Sequence, residues 1–99
     1  MLNINKTIEN GKAVFTLGGR LDTVTAPELE KELKGSLDGV SELTLDLKEL
    51  DYISSAGLRV LLSAQKTMNK QGSMIILNTK PEIMDIFEIT GFTDILNIQ

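Results

Sequence analysis

A chain of 99 residues with 41% hydrophobic and 24% charged content has the make-up of one globular domain, with little room for a second core. Its formal charge of −4, scattered Lys and Arg, one tyrosine and three phenylalanines argue against nucleic-acid binding and against docking on an anionic membrane surface. With neither cysteine nor histidine, the chain lacks disulfides, thiolate metal sites, the commonest general base and the strongest nucleophile.

Taken in order, "LNINKTI" (2–8) and "KAVFTLG" (12–18) read as strands around Asn10-Gly11, a strong hairpin signal between two alternating runs. "GGRLDTVT" breaks that pattern. Thr25-Ala26-Pro27-Glu28 then fits a capping box, with Thr25 as N-cap. The helix it opens carries Ala26, Leu29, Leu33 and Leu37 on one face and a Glu30–Lys34 pair toward solvent. Gly39 ends it. In "ELTLDL" (42–47), Leu43, Leu45 and Leu47 face one way while Thr44 and Asp46 face the other. That alternation predicts a sheet with one buried face, hence helices packed mainly on one side.

The helix after Ser54-Ser55 places Leu58, Leu61, Leu62 and Met68 inside and Arg59, Ser63, Lys66 and Lys70 outside, and Gln71-Gly72 stops it. "SMIILN" (73–78) is the next strand. Thr79-Lys80-Pro81-Glu82 repeats the start signal for a short helix burying Ile83, Ile86 and Phe87, which Gly91 closes. "TDILNIQ" (93–99) reads as a final strand or a frayed tail. The order ββαβαβαβ predicts a single α/β domain with a mixed, mostly parallel sheet and an N-terminal antiparallel hairpin. No apolar run approaches the roughly 18 residues of a membrane span. The first residues lack the basic-then-apolar pattern of a secretory signal, and a cytoplasmic home is the simplest expectation.

Catalytic equipment is sparse. Ser54 and Ser55 do not sit in a G-x-S-x-G elbow, and a hydrolase triad would lack its histidine. "GGRLD" has no following Gly-Lys-Ser/Thr, so it is not a phosphate loop, and nothing resembles a calcium or zinc site. Neither enzyme activity nor a cofactor nor a metal is expected. What remains is the junction "LDYISSAGLRVLL", where Ser54 or Ser55 suits the helix N-cap. Gly57 in the first turn is less expected, since glycine costs a helix about 1 kcal/mol relative to alanine. A residue that small implies close approach by a neighbouring element or by another protein. The junction belongs at the C-terminal edge of the sheet, where α/β proteins commonly place their sites.

"LDLKELDYISSAGLRVLL" resembles the signature of the STAS domain, specifically the small anti-sigma factor antagonists. "FTLGGRLDTVTAPEL" is similar to the family's Gly-x-Leu-Asp segment, and "IMDIFEITGFTDILNI" to its C-terminal helix and last strand. The resemblance spans nearly the whole chain. It implies partner switching: the unmodified antagonist binds an anti-sigma factor serine kinase and frees the sigma factor. Phosphorylation ends that binding, and a metal-dependent serine phosphatase restores it. Matching Gly57-Leu58 to the family's Asp-Ser-Ser/Thr-Gly-Leu turn puts Ser55 on the phosphoacceptor, Ser54 on the Asp and Ala56 on the second Ser/Thr. Asp22 falls on the Asp of Gly-x-Leu-Asp. The expected partner-binding set is Asp22, Ser54, Ser55, Ala56, Gly57 and Arg59, with phosphorylation at Ser55 and Ser54 as the alternative acceptor. A monomer is the default when free. The competing reading is a STAS interaction module of a transporter or signalling complex that is never phosphorylated.

Overall fold

The computed structural model describes residues 1–99. Strands β1 (Leu2–Glu9) and β2 (Lys12–Leu21) form the expected antiparallel hairpin. Its two turn residues, Asn10 and Gly11, have φ of 51° and 77°, the left-handed pair that a right-twisted two-residue hairpin requires. Helix α1 (Ala26–Ser36) follows, then β3 (Glu42–Ile53), α2 (Ser55–Gln71), β4 (Ser73–Leu77), α3 (Pro81–Thr90) and a 3-10 turn, Phe92–Asp94.

The sheet order is β1-β2-β3-β4, with β2–β3 and β3–β4 parallel. Each crossover therefore adds its strand on the same side of the last one. Two right-handed crossovers in one direction leave α1 and α2 on a single face. Ala13, Phe15 and Leu17 of β2, Leu43, Leu45 and Leu47 of β3, and Met74 and Ile76 of β4 point to that face and are buried. Leu29 and Leu33 of α1, Leu58, Leu61 and Met68 of α2, and Ile83 and Phe87 of α3 join them in one continuous core cluster. Burying each large side chain in it contributes about 1.5–3 kcal/mol. The opposite face leaves Val14 exposed and Thr16, Thr44, Asp46, Ile75 and Leu77 partly exposed, as the alternation of β3 predicts.

Several details depart from expectation. Strands β2 and β3 run to Leu21 and Ile53, beyond the predicted ends at 18 and 47. The register between them shifts twice, at Thr16/Gly18 and at Gly19/Arg20, so the inward residues of β3 change spacing to Leu47, Leu50 and Ile53. A bulge of this kind hides a strand from a search for strict alternation. Gly19, at φ 89°, also lies so close to the Met1 carbonyl that a Cβ would collide with it.

The Thr25 side chain does not cap α1. It is turned back into the preceding loop, where its oxygen accepts from Asp22 N at 2.9 Å. Thr79 likewise leaves the capping position of α3 to Lys80, and its own hydroxyl is buried. On α2, Val60 and Ala64 are buried whereas Leu62 is only partly so, because α1 packs along that side. "TDILNIQ" supplies no named strand. Its start lies in the 3-10 turn, and only Ile98 bridges β4, opposite Ile76.

Candidate functional site

The parallel pair β2–β3 ends in register, Leu21 beside Ile53, and each strand leads into a helix. The two connections are tied together at once: Ser54 N donates to Leu21 O at 2.9 Å. Ser54 is extended (φ −100°, ψ 175°) and is the N-cap of α2; its Oγ accepts from Gly57 N at 3.4 Å, and its carbonyl accepts from Leu58 N at 2.9 Å. An amide of the first turn that would otherwise lack a partner is thereby satisfied. Ser55 is the first residue of the helix proper, exposed, and its hydroxyl bonds to no protein group. The capping and free-hydroxyl roles thus fall on different serines.

Gly57 is buried, and its neighbours explain it. A Cβ there would lie 2.7 Å from Leu21 Cγ, 2.9 Å from Ile53 Cγ1 and 3.0 Å from Leu21 O. Real carbon–carbon contacts settle near 3.5–4.0 Å, roughly. The close approach inferred from sequence is therefore made by the ends of β2 and β3, and Gly57 lets α2 settle on them. Ala56 is half-buried against the core, leaving Ser55 and Arg59 as the exposed side chains of the first helical turns.

Asp22 sits in the adjoining β2–α1 loop. Its Oδ1 accepts from Val24 N and Thr25 N, both at 3.0 Å, and its carbonyl accepts from Ala26 N at 2.8 Å. The Thr25 hydroxyl shares its one proton between Arg20 O at 2.8 Å and Asp22 Oδ1 at 3.1 Å. The Thr25 amide bond, chiefly, holds the Asp22 carboxyl below its ordinary range, against partial desolvation; the Thr25 hydroxyl, the Val24 amide and Arg20 act the same way as the first. Asp22 is thus spent on shaping its own loop.

Sequence reading missed the surroundings. Arg20 and Tyr52 are cross-strand neighbours, the guanidinium 4.3 Å from the ring centre, and Arg20 Nε stands 3.6 Å from Asp22 Oδ2. Val24, at 79% exposure, is an apolar side chain left bare beside this cluster. Lys80 Nζ, 2.6 Å from Asp51 Oδ1, closes the next connection along the edge, and that bond holds the Lys80 pKa above its usual value. Arg20 and Tyr52 share no sequence motif; only the strand register brings them together.

None of the three main cavities is lined by Ser54, Ser55 or Arg59. No group of three or more Asp and Glu is gathered to hold a metal ion. No helix is long and apolar enough to cross a membrane.

Known proteins share this fold. The STAS domain model matches residues 3–99. BtrV of Bordetella bronchiseptica, named as an anti-sigma factor antagonist, is 40% identical over 91 residues, covering 90% of this chain and 78% of that protein. The anti-sigma-B factor antagonist of Staphylococcus aureus is 32% identical over 99 residues, covering 98% and 92%. An anti-sigma factor antagonist from Mycobacterium paratuberculosis has the same fold, with a TM-score of 0.89 at 22% identity over 99% of this chain and 85% of that one. The phosphorylated form of the Bacillus cell fate determinant SpoIIAA has a TM-score of 0.75 at 17% identity, over 100% and 91%.

Proposed function

Given that the chain belongs to the STAS domain family of anti-sigma factor antagonists, we propose that it frees a sigma factor by binding that factor's inhibitor, an anti-sigma factor serine kinase, through the turn at the head of α2. Phosphorylation of Ser55 ends the binding, and a metal-dependent serine phosphatase restores it. The observation that carries the choice of residue is the division of labour between the serines: Ser54 Oγ is engaged with Gly57 N, while the Ser55 hydroxyl is exposed and unbonded.

The chemistry of the switch belongs to the partners. In the kinase complex, Ser55 Oγ attacks the γ-phosphorus of ATP; the Oγ–P bond forms, the bond to the β-phosphate oxygen breaks, ADP leaves, and the hydroxyl proton passes to a base on the kinase. Hydrolysis by the phosphatase returns the hydroxyl and inorganic phosphate. This chain presents the nucleophile at a fixed place. Ser54 stands where relatives commonly carry Asp, and its neutral side chain retains the cap without adding a negative charge beside the acceptor.

The modification brings about −1.5 to −2 charges and a bulky tetrahedral group. At a helix N-terminus the fold accommodates an anion, because free amides and the helix dipole favour it. A protein surface packed over Ser55 and Ala56 has no room for it. A penalty of about 2.8 kcal/mol weakens binding roughly a hundredfold, enough to exchange partners. Asp22 supports this surface by fixing the loop next to it.

The test pairs binding with mapping. Wild-type protein should co-purify with the kinase and become phosphorylated at Ser55 by mass spectrometry, whereas Ser55→Asp should stay folded by circular dichroism and recover no kinase. Undiminished phosphorylation of Ser55→Ala would transfer the role to Ser54 or elsewhere. A partner retained equally by wild type and Ser55→Asp would favour the unphosphorylated interaction module.

A further inference from the structure

Arg59 is exposed on α2, four residues after Ser55. The ion pairs of the fold engage Lys6, Lys12, Arg20, Lys34 and Lys80, and Arg59 is in none of them. At one turn's spacing on its own helix it meets Ser55, Ala56, Leu62 and Ser63, none of them acidic. The first turn of α2 carries no acidic residue either, whereas α1 has Glu28 and α3 has Glu82. Nearby, Asp22 is paired with Arg20 and Asp51 with Lys80. Arg59 is a cation one helical turn from Ser55 that takes part in no ion pair of the fold.

On an α-helix, side chains at i and i+4 stand about 5–6 Å apart at Cβ, and an acid placed before a base is the favoured order. A planar guanidinium suits a phosphate better than an ammonium does, because two parallel N–H groups reach two oxygens. We propose that Arg59 is the counter-ion of phosphorylated Ser55 in the same chain, clasping the phosphoryl group against α2 once it is added. This rests on Ser55 being the acceptor. The clasp gives the modified turn one defined shape with part of its charge neutralised, so the departing partner is excluded by a fixed bulky group as much as by repulsion. It also leaves Asp22 undisturbed, since the phosphate finds its cation on α2.

The test is independent of any kinase. Phosphoserine is installed at position 55 by semisynthesis, in the full chain, and its second ionisation is followed by phosphorus NMR. A neighbouring cation favours the dianion, so the midpoint should lie below the ordinary value of about 6. Arg59→Gln should raise it by about 0.2–0.7 pH unit, the range expected of an exposed ion pair, and Arg59→Lys should retain part of the shift. Any contribution of the helix end is common to all three proteins and drops out of the comparison. An Arg59→Gln midpoint equal to wild type, with circular dichroism unchanged, overturns the proposal. Failure of the kinase to modify Ser55 would overturn the switch instead, without altering what the semisynthetic protein reports.

Discussion

Replacing Gly57 by alanine asks whether the turn's smallest residue serves this fold or a visiting partner. The added methyl would stand 2.7 Å from Leu21 Cγ and 2.9 Å from Ile53 Cγ1. Each neighbour would have to retreat by about 1 Å to reach ordinary contact. Neither has space, since Leu21 is fully buried and Ile53 nearly so. The third contact, 3.0 Å to Leu21 O, is backbone already bonded to Ser54 N. Overpacking of this kind costs about 1–3 kcal/mol, offset by up to about 1 kcal/mol from alanine's better helix propensity. The balance is a loss of about 1–2 kcal/mol, or a fall of roughly 5–15 °C in Tm for a domain of this size. Urea unfolding followed by circular dichroism reads it as a lower midpoint with unchanged slope. A Gly57→Ala protein as stable as wild type would refute the packing account, and one that also lost its partner would move the close approach into the interface.

The two serines should separate by stability. Ser54→Ala loses the cap and about 0.5–1 kcal/mol, the low end because the 3.4 Å bond is long, whereas Ser55→Ala should unfold within about 0.5 kcal/mol of wild type; equal losses in urea would break the assignment of cap to Ser54. Asp22 predicts a pH dependence. Its folded pKa lies below the ordinary 3.8, so its contribution is present above that value and lost as pH falls through the folded pKa. Asp22→Asn should therefore be less stable than wild type at neutral pH, with the gap closing in acid. A gap that stays constant from pH 6 to pH 2.5, roughly, would mean that ionisation of Asp22 is immaterial.

Element order as far as α3, the hairpin, the inward leucines of β3 and the αL closure of α3 at Gly91 were all legible, because each depends on local pattern. What escaped depends on pairing. The extra length of β2 and β3 follows from register shifts that only the partner strand defines. The repeated Thr-x-Pro-Glu pattern marked both helix starts correctly but misassigned the cap, since the Thr25 hydroxyl is drawn to the loop around Asp22 and the Thr79 hydroxyl is buried. At the site, Gly57 announced a close contact without naming it, and Arg20 over Tyr52 left no linear trace. The sequence left Ser54 and Ser55 as rival caps of α2, and the Ser54–Gly57 bond decides between them.

The bond from Ser54 N to Leu21 O has a consequence for how an enzyme meets this chain. Many modified serines lie in flexible segments that a kinase draws out and threads through its cleft. Here the residue before Ser55 is anchored to a strand more than thirty positions earlier, roughly, and Gly57 is seated on that same strand. In the proposed switch, a kinase would therefore recognise an assembled shape, and a peptide copied from residues 45–66 would lack half of what is read. The acceptor is a conformational epitope, and loss of the fold would erase the substrate together with the switch.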